Sequence, residues 1–204
     1  MIFAKKIPTQ DKILTAATDL FGLNGYHGVS VDDICAEAGV KKGSFYHYFP
    51  SKVDVFLAAF QREWAAKRVD LDRVFSPTLL PAQRLEQFSA LIYEKQAEKT
   101  AIYGKVLGCP FACCGSEMST QEERIRTYIA EIFTINARYF ESLLRDSYPQ
   151  QVPAAEEISI IAQEMMAYVM GVLTQAKIKN DLSIIKRDLE KGLLRYIANS
   201  NNSD

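Results

Sequence analysis

Residues Ser30 to Lys52 read SVDDICAEAGVKKGSFYHYFPSK. Ser30 stands three residues before Asp33 and just ahead of the apolar positions Ile34, Cys35 and Ala38, an S-x-x-D pattern that caps a helix beginning near Val31. Gly39 ends that helix, because only a residue without a Cβ turns so sharply into the left-handed region at low cost. Val40 plugs the turn. The next helix opens on Lys41, Lys42, Gly43 and Ser44, which present cationic groups, a hydroxyl and a position without bulk, an end suited to close approach by phosphate. It finishes on Phe45, Tyr46, His47, Tyr48 and Phe49. Phe45 and Phe49 share one face by their four-residue spacing, while Tyr46 and His47 point elsewhere. One face packs, and the other is free to enter a groove. Pro50 stops the helix, and Ser51 with Asp54 makes a second S-x-x-D cap beside Lys52, at the start of a long helix.

Outward from this stretch the chain reads as helices, without a convincing period-two strand. Ile13, Leu14, Ala17, Leu20 and Phe21 form one apolar stripe over residues 9–24, which braces the two short helices. Residues 52–75 carry Val55, Phe56, Ala59, Phe60 and Trp64, and Pro77 and Pro81 punctuate their end. Further helices are expected over residues 81–104, 120–147 (opened by Ser119 or Thr120 with Glu122 or Glu123 as capping partner), 154–179 and 181–199. Pro149 and Pro153 break the chain between the second and third of these regions, and a polar tail begins at Asn199. With a short segment around Cys109, about nine helices result.

The pattern Ile13-Leu14-x-Ala16-Ala17-x-x-Leu20-Phe21-x-x-x-Gly25-Tyr26, then Val29-Ser30-Val31-x-x-Ile34, then Ala38-Gly39-Val40-x-x-Gly43-Ser44-Phe45-Tyr46-x-Tyr48-Phe49-x-x-Lys52, resembles the tetracycline-repressor (TetR) family of bacterial transcription regulators. The resemblance implies an all-α fold with a three-helix helix-turn-helix DNA-binding domain at residues 1–52 and a helical ligand-binding and dimerisation domain at residues 53–204. It implies DNA contacts from Ser30, Lys41, Lys42, Gly43, Ser44, Tyr46, His47, Tyr48 and Lys52. It also implies a homodimer through the last two helices, where Ile158, Ile161, Ala162, Met165, Met166, Val169, Val172 and Leu173 make one apolar surface. Ile184, Ile185, Leu189, Leu193, Leu194 and Ile197 make another. Part of each set is ordinary core.

The chain has 204 residues, 48% of them hydrophobic, ample for a helical core. Its 24 basic and 25 acidic residues exclude a nonspecific polycation. Up to residue 52 the basic side chains are Lys5, Lys6, Lys12, Lys41, Lys42 and Lys52, against Asp11, Asp19, Asp32, Asp33 and Glu37. Positive surface is therefore local, and binding depends on paired heads and operator fit as well as on phosphate attraction. Charges interrupt every apolar stretch before membrane-span length, and the N-terminal MIFAKK lacks an apolar signal core, so a cytoplasmic protein is expected. The four cysteines at 35, 109, 113 and 114 make no disulfide framework, and reduced thiols are the default.

Gly108 to Met118, GCPFACCGSEM, resembles a Gly-Cys-apolar stretch followed by Glu near the ligand pocket of a TetR branch that answers electrophiles and oxidants. Cys109 sits where a helix can begin, a position that lowers a thiol pKa, with Lys105 one turn earlier. A small buried core cysteine is the alternative. Cys113 and Cys114 add a resolving thiol, a vicinal disulfide or metal ligation as readings. The only histidines, His27 and His47, lie in the head, so neither metal nor cofactor is expected. A small-molecule inducer is implied, with a pocket lined by Trp64, Tyr103, Cys109, Phe111, Met118, Tyr128, Phe133 and Met170, each also a plausible core residue.

The expected function is a homodimeric repressor of a palindromic double-stranded DNA operator, released by a small molecule or by thiol modification at Cys109. No phosphate-binding glycine loop, H-E-x-x-H or nucleophile–base–acid set supports an enzyme. The alternative is a helical protein-interaction adaptor whose head does not read DNA.

Overall fold

The first helix, α1 (Thr9–Asn24), forms on the stripe Ile13, Leu14, Ala17 and Phe21, all buried, with Ala16 beside them and Leu20 half-buried at the margin. The computed structural model describes residues 7–148 and 152–198, so the MIFAKK start, Pro149 and the tail from Asn199 lie outside the described residues. Among those described there are helices and no strand. After α1 come α2 (Val31–Ala38), α3 (Lys42–Tyr48), α4 (Lys52–Val74), α5 (Pro81–Tyr103), α6 (Pro110–Met118), α7 (Glu123–Ser147), α8 (Ala155–Lys179) and α9 (Ser183–Ala198).

Sequence signals account for most of these limits. Gly39 closes α2 at φ 64°, Gly104 closes α5 at φ 69°, and Pro81 occupies the first position of α5, where its missing N–H costs nothing. The S-x-x-E cap expected at Ser119 or Thr120 does not form. The amides of Gln121 and Glu122 instead reach back to the Met118 carbonyl at 3.0 Å, and the Glu122 carboxylate accepts from the Arg124 amide at 3.1 Å, so α7 opens at Glu123.

Two compact units result. One consists of the chain up to Ala66 together with Pro110–Ile129, and the other of Lys67–Cys109 and the residues from Ala130 on. In the first, an aromatic series runs through Tyr26, Phe21, Phe56, Phe60, Phe111 and Trp64, each ring centroid within 6.4 Å of the next. Burial of rings of this size stabilises by about 1.5–3 kcal/mol each. Arg62 of α4 adds a polar tie to α1, donating to the Thr15 hydroxyl at 3.1 Å and the Asp11 carbonyl at 3.3 Å.

In the second unit, Phe75, Phe88 and Phe140 pack with centroids 5.3–5.5 Å apart. Arg84 is buried, with its Nε donating to the Leu79 carbonyl at 2.9 Å and Nη1 lying 2.7 Å from Asp146. The segment before α6 is fixed by side-chain amides. Asn180 accepts from the Val106 N–H at 2.8 Å, and the buried Gln96 amide bonds both the N–H and the carbonyl of Gly108, at 3.0 and 2.9 Å. No described helix is long and apolar enough to cross a membrane.

Candidate nucleic-acid interface

The Ser30 cap forms as the sequence predicts. Its hydroxyl accepts from the Asp33 amide at 3.1 Å, while the Asp33 carboxylate accepts from the Ser30 N–H at 2.8 Å and from the hydroxyl at 2.6 Å. These bonds hold the Asp33 carboxyl below its ordinary range. Such a cap contributes about 1 kcal/mol. The second cap forms too: Asp54 N–H donates to Ser51 Oγ at 3.2 Å, and Ser51 returns a 2.6 Å bond to the carboxylate. Ser51 first, and Arg124 second, depress the Asp54 pKa.

Between the caps, α3 divides its side chains as the four-residue spacing requires. Phe45 is fully buried and Phe49 is buried beside it, their centroids 6.0 Å apart. Tyr46 is 52% exposed and Tyr48 39% exposed. Gly43, Ser44, His47 and Tyr48 are brought together with Thr9 around an open polar recess of about 390 Å³. Thr9, at the first position of α1, joins them although no local motif links it to α3. No side chain caps the N-terminus of α3, which follows Lys41 in extended conformation.

The cations are less free than the sequence suggests. Lys42 Nζ lies 2.8 Å from Asp32 on the exposed surface, which raises its pKa, so a phosphate at Lys42 must share it with a carboxylate. Lys52 Nζ sits 4.1 Å above the centroid of the Tyr26 ring. Lys41 is exposed. Ser30 is not among the residues around the recess, and its hydroxyl is engaged in the cap of α2.

The residues expected around a ligand fall in both units. Trp64, Phe111, Met118 and Tyr128 belong to the first, where Trp64 and Phe111 meet edge to face in the aromatic series and Met118 is buried. Tyr103, Cys109, Phe133 and Met170 belong to the second, with Cys109 buried and the other three half-buried. None of the four cysteines is joined in a disulfide. Among the described residues no three His, Cys, Asp or Glu side chains are grouped to hold a metal ion.

Residues 13–59, which run from α1 into α4, match the family of bacterial regulatory proteins, tetR family. An HTH-type transcriptional regulator encoded in the lacX 3′ region of Lactococcus lactis subsp. lactis is 30% identical over 189 residues, covering 89% of this chain and 90% of that protein. The chain belongs to the TetR family. It is a helix-turn-helix transcriptional regulator of that family, whose members regulate transcription and are not enzymes. A regulatory protein TetR from Rhodobacter sphaeroides superposes with a TM-score of 0.79 at 25% identity, over 92% of this chain and 98% of that one. The reduced form of NemR from E. coli shares the fold, with a TM-score of 0.71 at 23% identity over 95% of each chain. The TetR match thus covers both the head and the helices that follow it.

Proposed function

We propose that this TetR-family regulator is a cytoplasmic homodimeric repressor that binds a palindromic operator through residues 1–52 and is released by a small molecule or by thiol modification at Cys109, within residues 53–204. The observation that carries the DNA-reading part is the division of α3. Two buried phenylalanines anchor the helix, and Gly43, Ser44, Tyr46, His47 and Tyr48 are left facing away from the core. Hydroxyl and imidazole groups on such a face bond base edges and phosphate oxygens, while Lys41, Lys42 and Lys52 supply local positive charge.

Of the dimer surface expected on the last two helices, Ile158, Ala162, Met165, Val169, Val172, Leu173, Ile184, Ile185, Leu189 and Leu193 are buried in the chain's own core, and Ile161, Met166, Leu194 and Ile197 are half-buried. Dimerisation is supported instead by another face of α8. Ile160, Ala167, Gly171, Thr174 and Ile178 recur at three-, four- and seven-residue spacing and all are exposed, and a Cβ added at Gly171 would meet nothing. Such a stripe of small residues flanked by isoleucines suits close packing of a second copy, and two heads on a two-fold axis read two half-sites. Repression is the sign typical of the family, since a bound dimer excludes other proteins from its site. Release then follows from a ligand that favours a head spacing unfit for the operator, with coupling of about 1–3 kcal/mol. The adaptor reading is disfavoured by the exposed polar face of α3, which has the donors that DNA requires.

Tyr46→Ala tests the assignment directly. The exposed ring leaves without a cavity, so the helical circular-dichroism spectrum is retained while affinity for a duplex selected by the wild-type chain is lost. Phe45→Ala is the contrast, costing about 3–5 kcal/mol of stability. Wild-type affinity in Tyr46→Ala would refute the proposed face.

A further inference from the structure

The turn between α1 and α2 directs two successive amides at one carboxylate from a distant part of the chain. Gly25 has φ 74°, and after it the Tyr26 N–H donates to Glu117 Oε2 at 2.8 Å and the His27 N–H to Oε1 at 2.7 Å. Consecutive amides turned the same way form a concavity for an anion, and here α6 fills it. A Cβ at residue 25 would stand 2.7 Å from Oε2. Glycine is favoured there by its backbone conformation, and a Cβ would also crowd the carboxylate oxygen that the turn binds.

Neighbouring residues reinforce the grip. Gln121 Oε1 lies 2.9 Å from His27 Nε2, and the Gln121 amide donates to the Glu117 carbonyl at 3.2 Å. Arg124 pairs at 2.7 Å with Asp54, the carboxylate that completes the cap of α4. Every one of these residues lies within the first compact unit.

Glu117 also reaches the DNA-facing residues through Tyr26. The Tyr26 ring stacks on Phe21 at 5.6 Å and meets Phe56 edge to face at 5.5 Å, so its position is set by its backbone and by these rings together. Lys52 Nζ lies over the same Tyr26 ring, 4.1 Å from its centroid. Burial depresses the Lys52 pKa, and the charges of Glu117 and Asp33 oppose that shift. The ammonium thus depends on Glu117 for its support and, through Tyr26, for its aim.

We propose that Glu117 is a positioning residue for DNA binding: its carboxylate fixes the Tyr26–His27 turn, and that turn holds Lys52 where a phosphate of the operator meets it. The inference rests on the DNA-reading function proposed above. Its sign is decisive, because removing a negative charge from a DNA-binding unit should by itself strengthen attraction to the duplex. Loss of the positioning instead weakens binding.

The test uses the full chain and a duplex that the wild-type protein enriches from a random library, with affinities measured across a potassium chloride series. Glu117→Gln, which keeps the size of the side chain but loses one acceptor and the charge, is expected to weaken binding about tenfold while the circular-dichroism spectrum is unchanged. It should also reduce the slope of log affinity against log salt by about one, as Lys52→Ala does, since one phosphate is no longer neutralised. Lys52→Ala made in the Glu117→Gln background should then cost less than about twofold, whereas Ser44→Ala should cost its full factor in both backgrounds. Glu117→Ala is the stronger variant; should it fail to fold, Glu117→Gln decides. Binding by Glu117→Gln equal to or tighter than wild type, an unchanged salt slope, or independent effects of Glu117 and Lys52 would each overturn the proposal. A wild-type chain that enriches no duplex would overturn the DNA-reading function itself, and this proposal with it.

Discussion

The Tyr168 ring of α8 lies against the bare Cα of Gly192 in α9, and its hydroxyl donates to the Asp188 carbonyl at 2.7 Å, one turn earlier on the same helix. A Cβ at residue 192 would overlap the ring and its hydroxyl together. The glycine is therefore a packing requirement, and burial pushes the Tyr168 phenol pKa up in this seam.

Gly192→Ala should displace Tyr168 and break its bond to Asp188, lowering stability by about 1–3 kcal/mol in a urea melt. Adding Tyr168→Leu should recover part of the loss. Two simply additive penalties would mean that the ring and the glycine do not constrain each other.

Gly171, in contrast, faces open space. In the proposed dimer that space is filled by the second copy, so Gly171→Arg should leave the circular-dichroism spectrum intact while sedimentation shifts from dimer to monomer. Operator affinity should fall with it, since one head holds one half-site. A dimer that survives this substitution would move the interface elsewhere.

Both head caps carry carboxylates whose pKa lies below the ordinary 3.8, Asp33 through Ser30 and Asp54 through Ser51 and Arg124. A depressed folded-state pKa contributes stability that is present above the unfolded value and is lost as pH falls through the folded one. Thermal midpoints should therefore be level near neutral pH and decline below about pH 4. Ser51→Ala should flatten that decline. An identical acid profile in wild type and variant would remove the caps as its source.

Cys113 is half-buried, while Cys35, Cys109 and Cys114 are buried. Brief N-ethylmaleimide treatment of the native protein should label Cys113 first, read by peptide mass, with Cys109 following more slowly. If release acts through Cys109, loss of DNA binding tracks the slow phase and is abolished by Cys109→Ser but retained in Cys113→Ser. Loss in step with Cys113 would shift the sensing role to that thiol.

The head was legible because its signals are local. Ser30 with Asp33, Ser51 with Asp54 and the turn at Gly39 each act within a few residues, and the spacing of Phe45 and Phe49 assigns the inward face of α3. What remained hidden is long-range. Glu117 is 91 residues from Tyr26, and the motif around Gly25 shows that a glycine is wanted without showing which carboxylate requires it. Arg84 carries no local motif, and its burial rests on the distant Asp146 as well as on the nearby Leu79 carbonyl. Lys42 and Lys52 read as free cations, and only packing reveals Asp32 beside the one and Tyr26 beneath the other. The candidate ligand residues are of types that also build cores, and Trp64 and Phe111 stand together in the aromatic series.

The central claim is that α3 reads a DNA sequence as one half of a two-fold pair. Selection from a random duplex library with the purified, reduced chain tests it most directly. Enrichment of a palindrome with half-sites separated by about one helical turn or more is the predicted result; no enriched sequence, with binding indifferent to Tyr46→Ala, would contradict it.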